Sequence, residues 1–173
     1  MQQQYFDLAV VLPRKYLKNL SGWLLMGFKD AQTKQISEAD FLNQRLAPDM
    51  YPLLRQIQIV TDSAKGGAAR LSGVEPLKLE DNETTVEELL ARIEKVLTHL
   101  ETFKVEQFKD AAAQKVVLPY MPNEYQLGSD YVLGSLVPNF LFHTTIVYAI
   151  LRAQGVPLGK ADFIGGLVTH PLA

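Results

Sequence analysis

The sequence predicts an all-α protein, an antiparallel four-helix bundle with one long loop before its last helix. Two observations lead there. Four segments repeat apolar residues at three- and four-residue steps, as helices with one buried stripe do. The only other sizeable stretch, between the third and fourth segments, holds short β-prone runs broken by Pro119, Pro122, Gly128 and Gly134. With 173 residues the chain suits a single domain, 1–173, with one sizeable core.

The first segment runs from about Tyr5 to about Ala31, with Leu8, Leu12, Tyr16, Leu20, Trp23, Gly27 and Phe28 as its stripe. Pro13 lies inside it and should kink the helix or mark a late start. The second follows "RLAPDMYPLL", with Asp49 as N-cap and Pro52 in the first turn. Its stripe is Leu53, Ile57, Val60, Ala64, Ala68 and Leu71, with Arg55, Asp62 and Lys65 facing away. Gly66 and Gly67 are unfavourable inside a helix, which points to a neighbouring backbone passing close by. Gly73 should end the segment. In the third, Thr84 and Glu87 have capping-box spacing, and Val86, Leu90, Ile93, Leu97 and Leu100 form the stripe. The fourth is "PNFLFHTTIVYAILRAQG", with Ile146, Val147, Ile150 and Leu151 inward and Gly155 as stop. The stretch before it reads as a loop, with room for a small β-ribbon pairing Val116–Leu118 with Tyr131–Leu133. The tail after Gly159 reads as irregular, tied by a local Lys160–Asp162 salt bridge.

Composition excludes several classes. Hydrophobic residues make up 47% and charged residues 21%, and the net charge of −2 offers no footprint for nucleic acid or an anionic membrane. With no cysteine there are no disulfides, thiolate metal sites or cysteine nucleophiles. The N-terminus lacks the pattern of a signal peptide, and uninterrupted apolar runs are far short of the ~20 residues of a membrane span. A cytoplasmic protein is expected.

Bundles hold metals with inward histidines and carboxylates, and zinc, nickel or iron wants about three or four such ligands. The histidines are His99, His143 and His170. His143 shares a face with Asn139, Phe140, Ile146, Val147 and Ile150, so it should point inward. It should be neutral at pH 7 and hydrogen-bonded to the second helix, with Gln56 and Asp62 nearest by stripe position. Val147 stands one turn on, where a ligand pair would need another histidine or a carboxylate. His99 should lie at a solvated edge and His170 on the terminal tail. The expectation is therefore no metal and no cofactor. The alternative is a divalent metal such as zinc or nickel on His143 with oxygen ligands from Asp49, Gln56 or Asp62. Thr145, Tyr148 and Arg152 line one face of the fourth helix, either as a ligand-facing strip or as a solvated or dimer-facing surface. Ser21, Ser63, Ser72 and Ser135 have no nucleophile-elbow context, "GGAARLSG" is no phosphate loop, and no catalytic residue is assigned.

The blocks "RLAPDMYPLLRQIQIVTDSAKGGAARLSG", "ETTVEELLARI" and "PNFLFHTTIVYAILRAQGVPLGKADFIG" resemble a bacterial family of unknown function near the DinB/YfiT-like metalloenzymes. The resemblance spans about Arg45 to Gly166. It implies the DinB-like four-helix bundle and often a homodimer. Metal-binding members of that superfamily take one histidine from the second helix and two from an HxxxH pair on the fourth. Here the second helix has no histidine and only His143 matches the later pair, so the metal does not carry over. Two functions are expected from this. The first is small-molecule binding or interaction without the three-histidine site. The second is a metal-dependent enzyme of thiol-transferase or hydrolase type using His143. A homodimer is also expected from composition, because "WLLMGF" supplies more apolar surface than one face can bury.

Overall fold

The structure, a computed structural model, describes residues 1–172. The chain opens as α1 (Gln2–Phe6), widens into a π turn over Asp7–Val11, and continues as α2 (Leu12–Thr33). Pro13 has no N–H and its ring would strike the carbonyl four residues back, so the helix swells just ahead of it instead of kinking sharply. A short helix α3 (Glu38–Leu42), capped by Ser37, leads to α4 (Leu53–Ser72) and then α5 (Val86–Glu101). After two 3₁₀ turns come β1 (Lys115–Leu118) and β2 (Met121–Leu127), an antiparallel pair. The last long run is α6 (Gly128–Tyr131), a π turn over Val132–Leu136 and α7 (Val137–Ala153), with Pro138 just past the wide turn as Pro13 is in the first run. A short α8 (Lys160–Ile164) closes the chain.

The fold is thus mostly helical with a small two-stranded sheet. α2 packs on α5 and α7, and α4 packs on the same two helices. Leu17, Leu20 and Leu24 of α2, Ile57, Val60 and Ala64 of α4, Leu89, Ile93 and Val96 of α5, and Phe140, Val147 and Ile150 of α7 meet in a single core, all fully buried. The two π turns touch each other and α4.

Several expectations shift by a residue or a turn. The α2 stripe runs through Leu17, Leu20, Leu24, Gly27 and Ala31, leaving Leu8, Leu12, Tyr16 and Phe28 half-buried. Asp49 is not the cap of α4: Pro52 holds that position and Asp49 is exposed on the preceding turn. The α5 capping box is Thr85 with Glu88, because Glu88 also accepts from the Thr84 N–H and hydroxyl and so draws both threonines in. Leu89, not Leu90, belongs to the buried face. Gly67 faces the Leu136 side chain, not a backbone, and Gly66 faces the guanidinium of Arg70.

The ribbon pairs β1 with β2, not with residues 131–133. A two-residue turn at Pro119–Tyr120 brings Leu118 opposite Met121, and β2 is largely exposed and polar, so it carries little apolar signal. Tyr131 and Val132 are instead buried helical residues. The helical run 128–153 has 26 residues and a mean hydropathy of 1.3 over 18 of them, long and apolar enough to cross a membrane by length and composition alone. The expectation of short apolar runs missed this because polar residues interrupt the sequence without interrupting the helix. Here α7 packs against α2 and α4. The tail is not held by a Lys160–Asp162 pair. Asp162 caps α8 through the Gly159 N–H (2.7 Å), and Phe163 stacks on Trp23 with ring centroids 5.5 Å apart.

Candidate functional site

α7 and α4 bring His143 and Gln56 together. The His143 Nδ1 lies 2.7 Å from Gln56 Oε1, and Gln56 Nε2 donates to the Tyr51 carbonyl at 3.1 Å. That second bond sets the amide's orientation. Its oxygen can only accept, so Nδ1 of the neutral ring carries the hydrogen. His143 is half-buried, and burial followed by the charge of Arg55 holds its pKa below the ordinary histidine value.

Arg55 also lines a groove of about 390 Å³ between α4, the hairpin turn and the start of α7. α4 adds Asp62, Ser63 and Arg70, the hairpin turn Pro119 and Tyr120, and the last helical run Tyr131, Ser135 and Asn139. Asn139 donates to the Ser63 hydroxyl at 2.7 Å across the groove, and Ser135 donates to Gln126 of β2 at 2.8 Å. The first ties α7 to α4, and the second ties the hairpin to the last helical run. Arg70 donates to the Tyr131 hydroxyl at 3.4 Å and makes no ion pair among the described residues. A wider hollow of about 480 Å³ lies on α5 beside Leu77, Lys95 and His99, and the surface it presents is mostly apolar.

Beneath the groove is a residue that the stripe reading of α5 passed over. Arg92 is 1% exposed and grips the loop between α4 and α5. It donates to Thr61 Oγ1 at 2.7 Å, Asp62 at 2.7 Å, the Glu80 carbonyl at 2.9 Å and Glu83 at 3.0 Å, and pairs with Asp81 at 2.9 Å. Asp81 also pairs with Arg55. Burial pushes the Asp81 carboxyl up, but the hydrogen bonds and charges of Arg55 and Arg92 outweigh it and hold the carboxyl below its usual range. The sequence did hold a signal: Arg92 stands in register with Leu89 and Val96, and the acidic run Glu80–Asp81 with Glu83 precedes it.

The other expected site residues do not join His143. Asp62 is held by Arg92 and by Lys65, at 3.2 Å. Tyr148 packs edge-on against Trp23 and Phe163, and Arg152 donates to the Val156 carbonyl at 2.7 Å, closing the end of α7. His99 is half-buried, not solvated: its Nε2 is buried with no hydrogen-bond partner and its ring meets Phe103 edge-on. His170 is exposed. Among the described residues no three His, Asp or Glu side chains are placed to hold a metal ion. His143 Nε2 is one donor, Val147 is fully buried where a second would stand, and the nearby Arg55 opposes a cation. The three-histidine metal site of the DinB-like superfamily does not fit these residues.

This mostly helical fold with its small two-stranded sheet is DinB-like, by its match to a solved structure and to a family model. The chain is similar to a DinB family member protein from Shewanella denitrificans, whose crystal structure matches at a TM-score of 0.93. Identity is 39%, over 98% of this chain and 97% of that one. The chain belongs to the family described as a domain of unknown function, DUF1993, whose model matches residues 5–164. No curated protein matches it.

Proposed function

We propose that α2, α4, α5 and α7 form the antiparallel four-helix bundle of the DinB/YfiT-like fold. On this reading the protein binds a small molecule in the groove between α4, the hairpin and α7, without the superfamily's metal. One observation carries it: a groove of about 390 Å³, the size of a small-ligand pocket, into which Arg70, Ser63, Ser135 and Asn139 converge. The part without metal is supported by what surrounds the free Nε2 of His143: Val147 stands where a second ligand would, and among the described residues no three His, Asp or Glu side chains are placed to hold a metal ion. The alternative, a metal-dependent enzyme using His143 with Asp49, Gln56 or Asp62, loses support because Asp62 is committed to Arg92 and Gln56 to His143 itself.

The test is a fragment titration of the metal-free protein followed by ¹H–¹⁵N NMR. Shifts should gather on Ser63, Tyr120, Ser135 and Asn139. Hits that cluster elsewhere, or stoichiometric zinc, nickel or iron in the untagged protein, refute the reading. A cytoplasmic homodimer completes the proposal. Leu25 and Met26 of α2 remain 54% and 41% exposed, which supports a covered face. Light scattering at micromolar concentration should give twice the 19.4 kDa chain mass, and a monomer refutes it.

A further inference from the structure

We propose that the Arg70–Tyr131 end of the groove is a carboxylate site, and that its ligand is a small monocarboxylic acid with a flat apolar body. This rests on the groove being the ligand site and adds the ligand's charge and orientation.

Two cations face the groove, and they differ. Arg55 is neutralised by Asp81 and also donates to Gln58, whereas Arg70 has no carboxylate within ion-pair reach among the described residues. Its guanidinium is also placed. It folds back along α4 over Gly66, where an added Cβ would come within 2.5 Å of Nη1 and 3.3 Å of Cζ. Glycine is unfavourable at the middle of a helix, and at 66 it is what leaves the guanidinium its berth.

The third observation is independent of Arg70's charge. Tyr131 is 4% exposed and lines the groove, yet its hydroxyl only accepts, from Arg70. The phenol hydrogen has no acceptor among the described residues. Burial pushes the ionisation of Tyr131 up, so that hydrogen stays in place at neutral pH.

The end of the groove therefore offers only donors: a planar guanidinium fork and a phenol O–H, 3.4 Å apart. A carboxylate takes both, one oxygen on each or both on the fork. One unneutralised cation suits one negative charge. A dianion's second charge would find no free cation among the described residues, because Arg55, the other cation lining the groove, is already paired with Asp81. The apolar body follows from the remaining wall: Leu118, Pro119, Leu136 and the ring of Tyr120, which is 75% exposed and free to stack.

The test uses 2-naphthoate and its neutral analogue 2-naphthamide, each titrated into the full chain by ¹H–¹⁵N NMR. Naphthoate should bind about tenfold more tightly, the scale of one charge-assisted contact, with shifts at Tyr131, Ser135 and the Arg70 side chain. Arg70→Gln and Gly66→Ala should each bring the two affinities level, the second because it displaces the guanidinium without removing it. Should either variant fail to fold, wild type in rising salt gives the answer: naphthoate weakens and naphthamide does not. Equal affinities in wild type with shifts in the groove overturn the carboxylate site and leave the groove standing. A preference that survives Arg70→Gln also overturns it. Neither probe moving a groove resonance overturns both readings.

Discussion

Replacing Arg92 by methionine should cost the fold about 3 kcal/mol, and most of that cost comes from one stranded carboxylate. Methionine keeps the apolar stem of a side chain that is 1% exposed but removes every polar contact. Removing one partner of a buried ion pair costs about 3–5 kcal/mol when the remaining charge has nowhere to go. That condition holds for Glu83, 10% exposed, which would keep only the Gln58 amide at 2.9 Å. It fails for Asp62 and Asp81, which are 37% and 35% exposed and retain Lys65 and Arg55. Those two relax toward water, so the total stays near the lower bound of that range, about 3 kcal/mol. Urea unfolding followed by far-UV circular dichroism reads it as a lower midpoint at unchanged slope. Adding Glu83→Gln to Arg92→Met should return about 1–2 kcal/mol, since the stranded charge is then gone. Amide exchange should quicken first in residues 74–85, whose Glu80, Asp81 and Glu83 are held by Arg92. A loss below about 1 kcal/mol would refute the argument, because then water must already reach the Arg92 site.

The Asp81 carboxyl is held below its ordinary value of 3.8, so the unfolded chain takes that proton first. Its contribution is present above that value and is lost as pH falls toward the folded pKa, and Asp81→Asn should flatten stability against pH in that window. His143 behaves alike at higher pH: its pKa lies below 6.5, so stability drops as pH falls from there through the folded value, and His143→Gln should flatten that slope in urea melts at successive pH. The same variant should lower stability at pH 7.5 by about 1 kcal/mol, without a change on adding chelator. Gly67→Ala should cost about 1–3 kcal/mol by driving a methyl into Leu136, whereas Gly22→Ala, with open space around it, should gain up to about 1 kcal/mol in thermal melts.

The helices were legible because each buries one stripe, and periodicity reports burial directly. The stripe of α4 came out as expected, with Leu53, Ile57, Val60, Ala64, Ala68 and Leu71 fully buried. Where the stripe slipped, as at Leu89, the neighbouring Leu90 fits nearly as well by spacing. β2 and the beginning of the last helical run were lost for opposite reasons. "MPNEYQL" is a strand held by backbone pairing with an exposed, polar surface, and Gly128 with Gly134 disguised a helix. The bond between His143 and Gln56 followed from stripe positions, since both lie on facing sides of α7 and α4. The groove did not: Arg70, Tyr120 and Tyr131 lie on three elements, and only the hairpin's fold brings them together. Arg92 was missed because the stripe reading counts apolar residues and so skips a cation on the buried face.

The π turn at Val132–Leu136 also sets where the site lies around its helix axis. Buried positions from Gly128 onward fall at Val132, Leu136, Phe140 and Thr144, four successive steps of four. In a plain α-helix each such step over-rotates by about 40°, so the face would wander by roughly 160°. The wide turn acts as one inserted residue and returns about 100° of that drift. Deleting any single residue of the segment would restore an unbroken ladder of hydrogen bonds and swing everything before it around the axis. Tyr131 and the hairpin would turn away from Arg70 while every side chain of α7 kept its place. An alignment that gaps one position there would therefore mark a chain with the same α7 packing and a different groove, even at high identity.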